Sequence, residues 1–417
     1  MDMIPDVAPA AQREAEEAGP LQGLRVLDFG HTIMGPSCGL VLADLGAEVI
    51  RVEPPEGDRT RRLGGFAAGF FGVFNRNKRS IGLDLKTEGG RATAERLVAG
   101  ADVLIENFAP GTMERLGLDW PRLREVNPRL VYCALKGYLP GPYEHLHALD
   151  EVVQMQAGLA YMTGPPGRPL RAGASVIDIM GGVFGVVAIL AALRERERTG
   201  KGQLVRSALF ESTTFLVAQH IAGAALTGGP VPPMPARQGG AWCIYDVFQA
   251  ADAPVFVGVT SEQHWQRFCA SFPLGELATD PRLATHDDRV RARAWMLPRL
   301  GAIFATLPAA EILARCRAAL LPCALVARPD ELVDDPQFNS EGASMEVWLN
   351  ATTRARLPAL PVELGGRRPG LRRQPPAAGA DTHDVLAEAG LSLAEIEGLQ
   401  AAGVIRPAPL PAEQGKE

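Results

Sequence analysis

The chain has 417 residues, 47% hydrophobic and 22% charged, with a formal net charge of −6 and no basic block. That length exceeds one ordinary hydrophobic core and predicts two domains. The acidic balance argues against nucleic acid or an anionic membrane as partner.

The six cysteines, Cys38, Cys133, Cys243, Cys269, Cys316 and Cys323, form no CxxC pair and share no zinc-like spacing with histidine. They read as core residues of a reducing compartment. Residues 1–20 lack a basic segment followed by an apolar one, so a disordered tail is expected there rather than a secretory signal. The longest apolar run, Val183 to Leu193, is half the ~20 residues of a membrane span. A core helix of a cytoplasmic protein is expected.

In chain order, Leu24 to Phe29 reads as a strand, Ser37 to Leu45 as a helix and Gly46 to Glu53 as a second strand, together a βαβ unit that opens a parallel sheet. The first turn, GHTIMGP, is not a dinucleotide GxGxxG. Asn75-Arg76-Asn77-Lys78-Arg79 precedes a strand from Ser80 to Leu85 and reads either as a solvated turn or as a phosphate-facing loop. Further strands are expected over 102–106 and 130–135, ending in Asn107-Phe108-Ala109 and Lys136-Gly137-Tyr138. His31, Asn107 and Lys136 thus fall at the carboxyl ends of strands, where open α/β sheets bind ligands. His145 and His147 have no neighbours to complete a metal site, and no metal is expected.

A Gly/Pro-rich loop, 164–173, leads to Ala174-Ser175-Val176-Ile177-Asp178, and Gly181-Gly182 then opens an apolar helix. Asp178 at such a helix start is either an N-cap or a reagent, and spacing does not decide. Gly200-Lys201-Gly202 lacks P-loop spacing. Residues 222–240 read as a linker and are followed by a hairpin and helices near 261–271, 288–307 and 309–317. A loop-rich segment from about 334 then ends in helices near 382–389 and 392–402. The expected organisation is an α/β large domain over 21–225, a linker and smaller α+β domain over 226–335, and a segment over 336–417 that returns to the first.

Five stretches, LQGLRVLDFGHTIMGPSCGLVLADLGAEVIRVEPPEGDRTR, FNRNKRSIGLDLKTEGG, VLIENFAPGTMERLGL, VYCALKGY and ASVIDIMGG, in this order, resemble the class III CoA-transferases, the formyl-CoA and carnitine CoA-transferase (CaiB/BaiF) group. The resemblance covers Leu21 to Glu211. It implies an interlocked homodimer with a Rossmann-like large domain on an open parallel sheet, and coenzyme A as part of an acyl-CoA donor. It implies Asp178 as a nucleophile forming an aspartyl anhydride and an aspartyl-CoA thioester. Ordinary Asp ionises near ~3.9 and needs no separate base, and backbone N–H groups around Gly181 and Gly182 are the expected oxyanion donors. It assigns coenzyme A contacts to His31, Ile33, Met34, Asn75, Arg76, Asn77, Lys78, Asn107, Phe108, Ala109, Arg115, Lys136, Gly137 and Tyr138, with Arg115 and Lys78 near the phosphates.

Two departures bear on substrate. Ile33-Met34 stands where formyl-CoA transferase has Gln-Ala, and Gln238-Gly239-Gly240 stands where it has a four-glycine lid over the aspartate. Competing readings are an α-methylacyl-CoA racemase, whose GHD histidine has no counterpart in Ala148-Leu149-Asp150 although His147 is two positions away, and a silent acyl-CoA binding protein. Intramolecular transfer within one dicarboxylate is a third. The small and apolar residues of 158–162 suit a short or branched C4 to C6 dicarboxylic acid, and Arg168, Arg171 or Arg237 is either a surface charge or a receiver of its second carboxylate.

Overall fold

The structure, a computed structural model, describes residues 19–236 and 241–406. They fall into two compact units. The larger holds the chain up to Thr163, Arg168–Val231 and the residues from Pro336 on; the smaller holds Gly164–Gly167 and Pro232–Asp335.

The larger unit begins β1 (Arg25–Asp28), α1 (Met34–Asp44), β2 (Glu48–Glu53), α2 (Phe70–Phe74), β3 (Lys78–Gly82), α3 (Glu88–Ala99), β4 (Val103–Glu106), α4 (Thr112–Leu116), α5 (Trp120–Val126) and β5 (Val131–Lys136). It continues with α6 (Asp150–Gln156), α7 (Leu159–Thr163), α8 (Val176–Thr199), β6 (Gln203–Ala208), α9 (Leu209–Leu216) and α10 (Ala218–Thr227). The six strands are parallel in the order β3-β2-β1-β4-β5-β6. Both faces are covered, which is why runs such as VLIE and VYCALK are almost continuously apolar.

Successive side chains alternate between faces. Leu27, Ile50, Leu104 and Tyr132 join one core, and Val26, Val49, Val103 and Val131 the other. Val385, Leu386 and Ile396 from the C-terminal helices lie in the first of these cores, and Ile405 bridges Leu83, so the return segment packs on this unit.

α8 starts at Val176, not at the glycine pair. Gly181 and Gly182 lie in its second turn and set its distance from α1. A Cβ on Gly181 would stand 2.3 Å from Met34 Cε, and one on Gly182 would stand 2.2 Å from Ser37 Oγ and 2.8 Å from the Met34 carbonyl oxygen. By length and composition α8 is able to cross a membrane, but here it lies along α1, β5 and β6. The linker expected from residue 222 is helix as far as Thr227.

The smaller unit is an antiparallel β7 (Ile244–Gln249), β8 (Pro254–Val259), β9 (Cys323–Leu325) sheet covered by helices. The helix expected over 288–307 is broken at Ala292 into His286–Arg291 and Arg293–Phe304. In the larger unit's return segment a hairpin, Ser344–Trp348 with Arg354–Pro358, stands where only loop is expected.

A buried charge cluster joins the end of β1 to β2 and to the start of β3. Lys78 is fully buried; its Nζ donates to Asp28 Oδ2 (2.8 Å), the Pro36 carbonyl (2.8 Å) and Asn75 Oδ1 (3.2 Å). Arg51 faces the other oxygen of Asp28 at 3.4 Å and reaches Asp58 and the Gly30 carbonyl. Arg76 pairs with Asp44 (2.7 Å), while Asn77 Nδ2 donates to the same carboxylate (2.8 Å). Asn77 Oδ1 accepts from the backbone N–H groups of Arg372 and Arg373. The Asn75 to Lys78 side chains are therefore turned inward and buried, which corrects both readings of this segment, as a solvated turn and as a phosphate-facing loop.

Removing one member of a buried ion pair leaves an uncompensated charge, at a cost of about 3 kcal/mol or more. Lys78→Met is expected to destabilise the chain by that order, read as a lowered guanidinium midpoint. An unchanged midpoint contradicts the bracing role.

Candidate active site

The strand order reverses between β1 and β4, and at such a switch point the loops leaving adjacent strands diverge and open a crevice. Here the two loops are clipped together. The His31 N–H donates to Asn107 Oδ1 (2.7 Å), and Asn107 Nδ2 donates back to the His31 carbonyl (3.0 Å). Gly35 permits the approach, since a Cβ there would stand 2.9 Å from Asn107 Oδ1, and within the first loop Gly30 and Gly35 pack so closely that a Cβ on either would stand within 2.6 Å of the other's Cα. Thr32, at φ 63°, is a β-branched residue in the left-handed region, a strained conformation of the sort found at functional loops. Lys136, at the end of β5, donates to Glu106 Oε2 (2.7 Å) and to the Phe108 carbonyl (2.9 Å), fixing the Asn107-Phe108 turn.

Asp178 enters from the first turn of α8. Its carboxyl accepts no hydrogen bond among the described residues. The cap is supplied by a different aspartate: Asp150 Oδ2 accepts from the Ile177 N–H (3.1 Å) and the Asp178 N–H (3.2 Å), while Ser175, at the N-cap position, makes no side-chain cap bond. Asp178 is therefore not the cap. Burial, and next the charge of Asp150, push its pKa up to about 7, with Arg171 opposing. The carboxyl therefore holds its proton to a higher pH than the ordinary Asp expected from sequence.

Asp178 lines a cavity of about 270 Å³ together with His31, Ile33, Met34, Asn107, Phe108, Ala109, Lys136, Gly137, His147 and Asp150. Nine of the residues expected at the site, all of these but His147 and Asp150, are thus brought together. Others are not. Asn75, Arg76, Asn77 and Lys78 form the buried brace, and Tyr138 is 5% exposed with its hydroxyl donating to Gln156 Oε1. Arg115 is exposed and bonds Thr112. Gly181 and Gly182 are inside the helix, where their N–H groups belong to its hydrogen-bond ladder, which corrects their reading as oxyanion donors. Gly239, Gly240 and Gln238 lie outside the described residues, as does residue 237 and the expected tail up to residue 18.

Sequence reasoning missed Arg59. It is exposed, lines the cavity, pairs with no side chain among the described residues, and its charge joins burial and Arg51 in lowering the pKa of His31. Its neighbour Asp58 anchors the turn by accepting from the Thr60 N–H (2.7 Å). A wider depression of about 650 Å³ lies at the amino ends of β1, β2 and β4. Arg25, Arg79 and Arg373 there are already paired with Glu48, Glu388 and Asp381, and it is at the wrong end of a parallel sheet for a ligand. Among the described residues, no group of three or more His, Cys, Asp or Glu side chains is placed to hold a metal ion.

Fold and site together define a doubly wound α/β protein with a free, half-buried carboxyl at its switch-point crevice. Residues 21–382 match the CoA-transferase family III model, and the chain belongs to that family of enzymes, whose substrates carry coenzyme A. It is 34% identical to a succinate–glutarate CoA-transferase of Agrobacterium fabrum (88% of this chain, 95% of the relative) and 35% identical to an acetyl-CoA:oxalate CoA-transferase of Acetobacter aceti (84% and 91%). A CaiB/BaiF family protein from Brucella suis is similar in structure, with a TM-score of 0.81 and 31% identity over 89% of this chain and 100% of that one.

A raised native pKa at Asp178 means that the folded chain holds a proton which the unfolded chain releases near pH 4. Stability therefore falls as pH rises from about 4 to 7. Asp178→Asn is expected to raise the melting temperature at pH 8, by an amount worth on the order of 2 kcal/mol once partial exposure is allowed for. The gain should vanish toward pH 4; a gain that is equal at both pH values contradicts the assignment.

Proposed function

We propose that the chain moves coenzyme A from a short acyl-CoA donor to a carboxylic acid acceptor through covalent intermediates on Asp178. The observation that carries this reading is the Asp178 carboxyl, which accepts no hydrogen bond among the described residues, in the crevice between the β1 and β4 loops.

In the first half-reaction a carboxylate oxygen of Asp178 attacks the thioester carbonyl and expels coenzyme A thiolate, leaving a mixed anhydride. The thiolate attacks the aspartyl carbonyl of that anhydride, releasing the donor acid as its carboxylate and leaving an aspartyl-CoA thioester. The acceptor carboxylate then attacks the aspartyl carbonyl, expels the thiolate again and forms a second anhydride. Thiolate attack on the acceptor's carbonyl gives the new acyl-CoA and returns Asp178. No net proton is consumed, and one thioester replaces another.

A cavity of about 270 Å³ suits an acyl group and thioester rather than a whole acyl-CoA, whose nucleotide end would lie outside. Ile33 and Met34 give that cavity an apolar wall, whereas Arg59 at its rim is a cation for an anionic group. A C4 to C6 dicarboxylic acid fits this combination better than oxalate. The succinate–glutarate relative supports the same class.

A homodimer is part of this reading. α8, α9 and α10 leave Val187, Phe215, Ile221 and Leu226 exposed at 58%, 69%, 59% and 88%, an apolar surface of the sort that marks a protein interface. Sedimentation equilibrium is expected to return twice the monomer mass, and monomer alone would contradict the dimer. His147, in the same cavity as Asp178, favours a second reading, α-proton exchange of a 2-methylacyl-CoA.

The test incubates the purified chain with succinyl-CoA and a panel of dicarboxylic acids and follows acyl-CoA products by chromatography. Ping-pong kinetics with at least one C4 to C6 acceptor are expected, with Asp178→Ala lowering turnover by about 10³-fold or more. Arg59→Ala is expected to raise KM about tenfold with turnover little changed, the loss of about 1.4 kcal/mol of uniform binding. Deuterium uptake at the α-carbon of 2-methylbutyryl-CoA without any transfer product would favour the second reading instead.

A further inference from the structure

Asp150 is used by no step above, yet it is 7% exposed and fixed on every side. Its Oδ2 takes the two backbone N–H groups that open α8, its Oδ1 accepts from Gln154 Nε2 (2.6 Å), and Arg171 Nη2 lies 3.5 Å away. Gln154 is fully buried and held in turn by the Ala172 N–H, which donates to its Oε1 (2.9 Å). A carboxylate so anchored neither swings away nor leaves the cavity that it lines with Asp178.

We propose that Asp150 is a positioning residue that promotes acylation of Asp178: it holds the first turn of α8 and sets beside the reacting carboxyl a like charge whose repulsion disappears when Asp178 becomes an anhydride or thioester. This deepens the acyl-transfer reading and rests on it.

Capping of the helix falls to Asp150 and not to Asp178. Because Asp150 satisfies the N–H of Asp178, the Asp178 side chain is not drawn back onto its own helix and stays free to attack. The same proximity raises the energy of ionised Asp178, second in size to the effect of its burial. Both penalties fall on the charged carboxylate alone, since the acylated side chain carries no charge. They therefore favour the covalent state and leave the ionised fraction a more basic nucleophile. Of the other charged or titratable groups near the pair, Arg171 opposes Asp150, and His31, Arg59, Lys136 and His147 line the same cavity.

The test compares the full-length wild type with Asp150→Asn, which keeps an oxygen for the helix N–H groups and removes the charge. Asp178 is titrated by carboxyl-carbon NMR, and the fraction of Asp178 acylated is measured after incubation with succinyl-CoA alone. Asp150→Asn is expected to move the Asp178 midpoint and the acid limb of kcat/KM about one pH unit lower and to reduce the acylated fraction about tenfold. Arg171→Met, with its partly exposed side chain, is expected to move the midpoint upward, and decides the matter if Asp150→Asn does not fold. A folded Asp150→Asn with midpoint and acylated fraction unchanged, or an unmoved midpoint in Arg171→Met, overturns the proposal. Absence of any adduct in the wild type overturns the acyl-transfer reading instead, while the NMR midpoints still report whether Asp150 acts on Asp178.

Discussion

The buried ion cluster around Asp28 holds the rest of the larger unit in place. Two cations, Lys78 at the start of β3 and Arg51 within β2, converge on one fully buried carboxylate at the end of β1, where an unpaired charge would be severely destabilising. Each cation is satisfied by reaching a different element. Lys78 ties β3 to the start of α1 through the Pro36 carbonyl, and Arg51 ties β2 to the Gly30 carbonyl and to Asp58. The loop that carries His31 and the turn that carries Arg59 are thereby built onto one charged platform. The site's geometry follows from that platform more than from any residue facing the ligand.

The second determinant is the close approach of α8 to α1. With no side chains at Gly181 and Gly182, the helix lies close enough to α1 for its first turn to meet the crevice. Asp178 is presented there with its own N–H groups already capped from α6 by Asp150. The helix start, an ordinary place for a capping aspartate, thus leaves one aspartate unemployed structurally.

How much of this was legible in the sequence follows from which interactions are local. The strands were, because β4 and β5 are buried on both faces and read as apolar runs. Asp178 was visible only as cap or reagent until the family motifs were considered, because its alternative cap, Asp150, is 28 positions away. The Asn75 to Lys78 cluster misled for the same reason: its partners Asp28 and Asp44 are 50 and 32 positions distant, and a run of cations looks solvated when its counter-charges are not in view. Arg59 was hidden among the arginines of DRTRR, of which Arg61 turns to Glu53 (2.6 Å) and Arg59 to the cavity. The Ser344–Trp348 and Arg354–Pro358 hairpin escaped because its exposed edge alternates charges and ends in proline, features that also mark loops.

The central claim is that the free carboxyl in the crevice is where acyl transfer occurs. The most direct measurement is peptide mass spectrometry of the chain after incubation with succinyl-CoA and quenching with hydroxylamine, which converts an activated aspartyl group to a hydroxamate. A hydroxamate on the peptide containing Asp178, and none without acyl-CoA, is the predicted result. Transfer of coenzyme A to an acceptor with Asp178 unmodified, or with the hydroxamate on another residue, would contradict it.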